Sequence, residues 1–325
     1  MIISASRRCD IAAFHAEWFM NRVRAGEVLV RNPMQKKQIS KISLQLDDVD
    51  AFVFWTKNPT ALMPFLPELN TLGYAYYFLF TITPYDATVE PHVPEKKKMV
   101  TLFQRLATLV GAERVLWRYD PILLTKHFTP TWHTTAFQQV AQALSGYTKR
   151  CIISFFDDYR KVQQRMQPLA YIMPDATLMK ELVCSFAEIA HRHNITLATC
   201  CETLDVAYNG VTPAHCIDRA LVEQISGRLL VGIKKDSNQR PACGCAKSYD
   251  IGAYNCCAHG CLYCYAVANH AKAAITCSSC NALSPLLCDT LQPDDVVTER
   301  FSCSNLFIAS KISNPTHSQS DCIAL

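Results

Sequence analysis

The chain has 325 residues, half of them hydrophobic and 18% charged, with a net charge of +4. That balance is ordinary for a globular protein and long enough for one large α/β barrel or two smaller domains. It gives no electrostatic argument for nucleic acid, and no apolar run is long enough to span a membrane. Met1-Ile2-Ile3-Ser4 carries no basic leader before an apolar core, so it reads as a first strand of a cytoplasmic protein.

Short apolar runs then alternate with helical patterns. Ile2–Ser4 is a strand, and Phe14, Trp18 and Arg22, four apart, place a helix over residues 13–24. Residues 51–55 and 74–83 form the second and third strands, the latter rich in aromatic and β-branched residues. The run Lys96-Lys97-Lys98 opens a helix and reads as a solvated face. A helix over 100–110 leads to a strand at 114–117, and one over 136–144 to a strand at 151–155. Leu178, Leu182, Phe186 and Ile189 mark a helix before a strand at 196–199. A helix over 216–225 precedes a seventh strand at 229–233. Repeated strand–helix units with near-continuous apolar strands predict a parallel sheet covered by helices. We expect an α/β fold, a TIM-like parallel β/α barrel, complete or partial, over 1–238. The rhythm stops near Gln239, and residues 239–290 read as a cysteine-rich metal- or cluster-binding cap. Residues 291–325 are polar and mixed in pattern, expected to form a partly disordered tail.

Parallel barrels collect their chemistry at the C-terminal ends of the strands. Here those ends carry Arg7, Arg8 and Asp10, then Lys57 and Asn58, Arg118 and Asp120, Asp157 and Asp158, Cys200 and Glu202, and Lys234 to Asp236. Arg7, Lys57 and Arg118 suit a carboxylate or phosphate, because guanidinium forks bind such anions bidentately. Asp120 and Glu202 suit ribose hydroxyls or an amino group. Arg118 and Asp120 pairing with each other is the alternative. Arg7, Lys57, Arg118 and Asp120 are the candidate catalytic residues.

The chain has 17 cysteines, concentrated between Cys243 and Cys288. Without a secretory signal, metal binding accounts for them better than disulfides. Cys257, Cys261 and Cys264 read C-x3-C-x2-C. Thiolates select zinc, copper(I) and iron–sulfur clusters. A four-iron cluster normally takes four cysteines, so three would leave one iron open to a ligand. Cys261-x2-Cys264 is also followed by Cys277-x2-Cys280, a spacing close to a zinc ribbon. In that competing reading the chain is a barrel hydrolase or binding protein with a structural zinc site. Cys200, Cys216, Cys243 and Cys245 form a second group, able to hold an auxiliary cluster or zinc. Cys200 and Cys216 as small buried core residues are the alternative.

With Tyr263 just before the last cysteine, the motif resembles that of radical S-adenosylmethionine (SAM) enzymes. The wider chain resembles an uncharacterised bacterial family known as a domain of unknown function, through residues 3–8, 54–59, 117–122 and 243–266. The resemblance implies a [4Fe-4S] cluster on Cys257, Cys261 and Cys264 that binds SAM and cleaves it reductively. It implies a flavodoxin- or ferredoxin-type electron donor and no known substrate. Cofactor contacts are expected from Lys57, Arg118, Asp120, Glu202 and Tyr263. The motif stands after about 250 residues where it usually follows the first strand, and no Gly-Gly-Glu run is present.

Overall fold

A computed structural model describes residues 1–202 and 210–300, and the backbone of 306–307. The tail expected from residue 291 lies outside the described residues beyond 300, apart from that dipeptide.

The chain opens with β1 (Ile2–Ser4), α1 (Ile11–Phe14) and α2 (Ala16–Ala25), then a hairpin of β2 (Glu27–Arg31) and β3 (Gln38–Ser43). Next come β4 (Ala51–Thr56), α3 (Leu66–Thr71), β5 (Tyr76–Thr81), α4 (Lys96–Val110), β6 (Val115–Ile122), α5 (Pro130–Leu144) and β7 (Arg150–Phe155). The second half holds α6 (Gln163–Met166), α7 (Ala176–Arg192), β8 (Thr196–Thr199), β9 (Thr212–Pro213), α8 (Arg219–Ser226) and β10 (Leu229–Leu230). It continues with β11 (Ser248–Asp250), α9 (His270–Ser278), β12 (Val296–Arg300) and β13 (Leu306–Phe307).

Eight strands form one sheet in the order β11-β1-β4-β5-β6-β7-β8-β9, and every pair in it is parallel. β11, from the cysteine-rich segment, pairs with β1 in the register Ser4 opposite Asp250. No ladder joins β9 to β11 among the described residues, so the fold shown is an α/β fold with a large parallel sheet. The expected seventh strand shrinks to β10, which pairs antiparallel with β13 outside this sheet. Gly232 follows at φ 77° and ends the extended run. The hairpin β2–β3, extended by β12, was not legible as strands in advance, although Gly26 at φ 73° supplies the turn into it.

Strand alternation sorts the core into two layers. Phe52, Phe54, Phe78, Phe80, Trp117 and Ile153 face Phe19, Phe103, Phe137 and Phe186 on the covering helices. Val53, Trp55, Tyr77, Leu79, Leu116 and Ile152 face a second cluster with Ile217, Leu221, Leu230 and Cys245. Both faces are covered, which is why the strands are apolar at nearly every position. Thr129 caps α5 by accepting from Trp132 N, with Pro130 in the first turn, so that helix starts six residues before the periodicity suggested. No helix among the described residues is long and apolar enough to cross a membrane.

Phe137 and Phe186 stack with ring centroids 4.2 Å apart, joining α5 to α7. Replacing Phe186 by Ala should lower the unfolding free energy by about 3–5 kcal/mol. An unchanged midpoint and slope in urea unfolding would contradict this packing account.

Candidate metal centre and cavity

A cavity of about 670 Å³ opens at the C-terminal ends of the parallel strands. Arg7, Lys57, Arg118, Asp120, Tyr263 and all seven cysteines of the two expected groups line it. Glu202 does not; its carboxylate accepts from Phe155 N at 2.9 Å and finishes β7.

The C-x3-C-x2-C loop is fixed from three sides. Asp10 caps α1 through Ala13 N at 2.9 Å, and its other oxygen accepts from Lys57 N at 2.7 Å. That same oxygen accepts from His259 Nε2 at 2.8 Å, inside the motif loop. Because a carboxylate only accepts, His259 donates to it through Nε2, and its Nδ1 has no partner among the described residues. Glu90 is the second anchor. One of its oxygens accepts from Lys57 Nζ at 2.8 Å, from Thr83 and from the Tyr263 hydroxyl; the other accepts from Lys96. Arg165 is the third, donating to the carbonyls of Cys264 at 2.7 Å and Val267 at 2.6 Å. Gly260 sits at φ 71°, with an added Cβ 3.0 Å from the His92 ring, so the turn between Cys257 and Cys261 requires glycine there.

Glu90 also revises the reading of the lysine run. Lys97 and Lys98 are exposed, whereas Lys96 turns inward. Burial opposes ionisation of Glu90, but the charges of Lys57 and Lys96 outweigh it and hold the carboxyl at about 2. Lys96 itself is lowered, because burial and the like charge of Lys57 exceed its attraction to Glu90.

Burial pushes all three motif thiols up, that of Cys261 to about 12 despite nearby Lys57. Metal binding there must displace protons.

The structure brings the second group together and adds Cys201. Cys200 Sγ lies 3.8 Å from Cys216 Sγ and 4.0 Å from Cys201 Sγ, while Cys245 Sγ accepts from Ile217 N at 3.4 Å. Cys243 interacts with Cys245 and Cys201. Contact with Cys200, aided by the Arg240 charge, lowers the Cys201 thiol to about 6 against its burial. None of these cysteines is in a disulfide.

Arg7 stacks over Trp55 at 5.2 Å and donates to Ser248 Oγ, and Arg118 pairs with Asp120, the alternative read from the sequence. Asp120 also accepts from Ser154 at 2.6 Å. Asp250 gathers Ser4 Oγ, Ser6 Oγ and the Arg7 N–H, tying β11 to the end of β1. Gly252 allows this closeness, since a Cβ would lie 2.0 Å from Ser6 Oγ. Three buried polar atoms, all on residues that line the cavity, lack a partner among the described residues: Arg7 Nη2, Arg118 Nε and His259 Nδ1. Unpaired buried groups of this kind are costly, so the two arginine N–H groups, on residues that line the cavity with three thiols, fit a site built for a ligand with acceptor atoms.

The roles of Glu90, Asp250 and Arg165 had no sequence signal. Asp10 could have been found as an N-cap three residues before Ala13, and Cys201 by its adjacency to Cys200. The two C-x2-C pairs of the ribbon reading meet different neighbours: Cys261 lies by Lys57 and Glu90, and Cys280 by His15 and Cys288.

Glu90 is depressed below its unfolded value of about 4.3, so the stability it adds is complete above that pH and is lost as pH falls towards about 2. Glu90→Gln leaves two partly buried lysines without their carboxylate and should cost about 3 kcal/mol at pH 7. The gap to wild type should narrow by pH 3. Denaturant unfolding at the two pH values checks it, and a constant gap would refute the assignment.

No curated protein and no solved structure matches the chain. One family model, described as a domain of unknown function, matches residues 2–266, ending just past Cys264. The chain therefore belongs to the DUF1848 family.

Proposed function

We propose that the protein is a radical SAM enzyme, with Cys257, Cys261 and Cys264 as the three ligands of a [4Fe-4S] cluster. The observation that carries this reading is the meeting of those thiols with unpartnered Arg7, Arg118 and His259 nitrogens in one cavity at the strand ends. The cavity volume falls in the range of small-molecule and cofactor sites. When bound, the cluster and SAM supply reductive sulfonium cleavage, fed by a flavodoxin- or ferredoxin-type donor.

The chain's own residues have separable tasks. Arg7 Nη2 and Arg118 Nε offer N–H groups to the carboxylate of the methionine part. Asp120, held by Arg118 and Ser154, is placed to accept from an amino or hydroxyl group. Lys57 and Tyr263, locked on Glu90, hold the side of the motif loop next to Cys261. The buried floor of Trp55, Thr81 and Phe155 excludes water. Cys200, Cys201, Cys216, Cys243 and Cys245 share the cavity and make a second metal, a cluster or zinc, part of this reading.

Anaerobic reconstitution with iron and sulfide, then chemical reduction with SAM, should release 5′-deoxyadenosine. Cys257→Ala should abolish the release, and Arg118→Ala should weaken SAM binding at least tenfold with the iron content unchanged. A colourless reconstituted protein that releases none would overturn the proposal.

A further inference from the structure

We infer that His15, Cys280 and Cys288, with Cys277, form a separate mononuclear zinc-class site that clasps the segment after the family domain to the first two helices. The donor atoms of His15, Cys280 and Cys288 all lie within 4.8 Å of one another, and Cys288 Sγ is 3.9 Å from His15 Nδ1. A tetrahedral zinc with Zn–S near 2.3 Å and Zn–N near 2.0 Å sets its donors about 3.5–3.8 Å apart. The trio is thus on the scale of one ion.

The histidine is oriented as a ligand. His15 is buried, and its Nε2 lies 2.8 Å from the Cys256 carbonyl oxygen. A carbonyl only accepts, so Nε2 donates to it and Nδ1 is the ring nitrogen left for a metal, with Cys288 Sγ 3.9 Å from Nδ1 and 4.0 Å from Nε2. A metal-binding histidine typically anchors its other nitrogen this way. Cys277 also interacts with His15, and its C-x2-C spacing to Cys280 suits chelation. Cys256 packs on Cys288, but its thiol is engaged with the Ala253 carbonyl at 3.1 Å. The mixed nitrogen–sulfur set favours zinc over hard cations.

The surrounding segment is arranged to bring these ligands in. Trp18, Asn21 and Arg22 of α2 donate to the carbonyls of Ser284, Ala282 and Leu283. Leu286 and Leu287 are buried, and Cys288 adopts φ 51°, off the ordinary backbone regions, which turns the chain back at that point. Cys277, Cys280 and Cys288 all lie beyond the residues matched by the family model, whereas His15 lies inside them.

The full-length apo chain titrated with Co²⁺ alone should show tetrahedral d–d bands and a thiolate charge-transfer band. Cys277→Ser, Cys280→Ser and Cys288→Ser should each lose one equivalent of that signal and of zinc by elemental analysis. Cys257→Ala should keep both, which separates this site from the proposed cluster. His15→Cys should retain the metal with stronger charge transfer, guarding against variants that merely misfold. Chelating zinc from the wild type should lower its Tm. Unchanged cobalt spectra in Cys280→Ser and Cys288→Ser, an unshifted spectrum in His15→Cys, or loss of iron and sulfide in place of zinc would overturn the inference.

Discussion

The Asp10 carboxylate holds three pieces of backbone that are distant in sequence. It caps the first helix, takes the amide at the end of β4, and takes the imidazole N–H from the loop between Cys257 and Cys261. The residue is buried, so each of these bonds acts in a medium of low polarity, where a charged acceptor is worth more than at the surface. Through it the position of the cysteine loop becomes a property of the sheet. A loop of eight residues with three thiols has no such rigidity by itself.

The other supports follow the same logic. Glu90 lies in none of the strands yet gathers two lysines and a tyrosine, setting a single arrangement for the loop's far side. Asp250 does this for the seam between β11 and β1. Glu90 is buried and Asp250 partly buried, and both oxygens of each carboxylate are engaged. That pattern favours one geometry over many at little net gain in stability. Arg7, Arg118 and His259, which line the cavity, each keep one buried nitrogen without a partner among the described residues.

The three groups of thiols differ in surroundings. Of the motif cysteines, Cys261 is buried near Lys57 and Glu90, and Cys257 and Cys264 are partly buried. The Cys200 group lines the same cavity near Arg7, Arg118 and Arg240. The group around His15 is outside the cavity lining. Yet His15 contacts the carbonyl of Cys256, the residue before the first motif cysteine. A metal at His15 therefore braces the start of the motif loop as Asp10 braces its middle and Arg165 its end.

The sequence by itself determined the repeating unit and singled out the cysteine-rich loop. Apolar strands of five or six residues bury both faces, and C-x3-C-x2-C sets three cysteines within eight residues of the chain. Those are local properties, readable from periodicity and separation along the chain. Only the tertiary structure decided that β11 joins β1, that Lys96 leaves its solvated run for Glu90, and that Cys280 goes to His15 and Cys288. Each depends on contacts between residues tens to hundreds of positions apart. Their partners are chosen by burial and charge compensation, which leave no periodic mark on the chain.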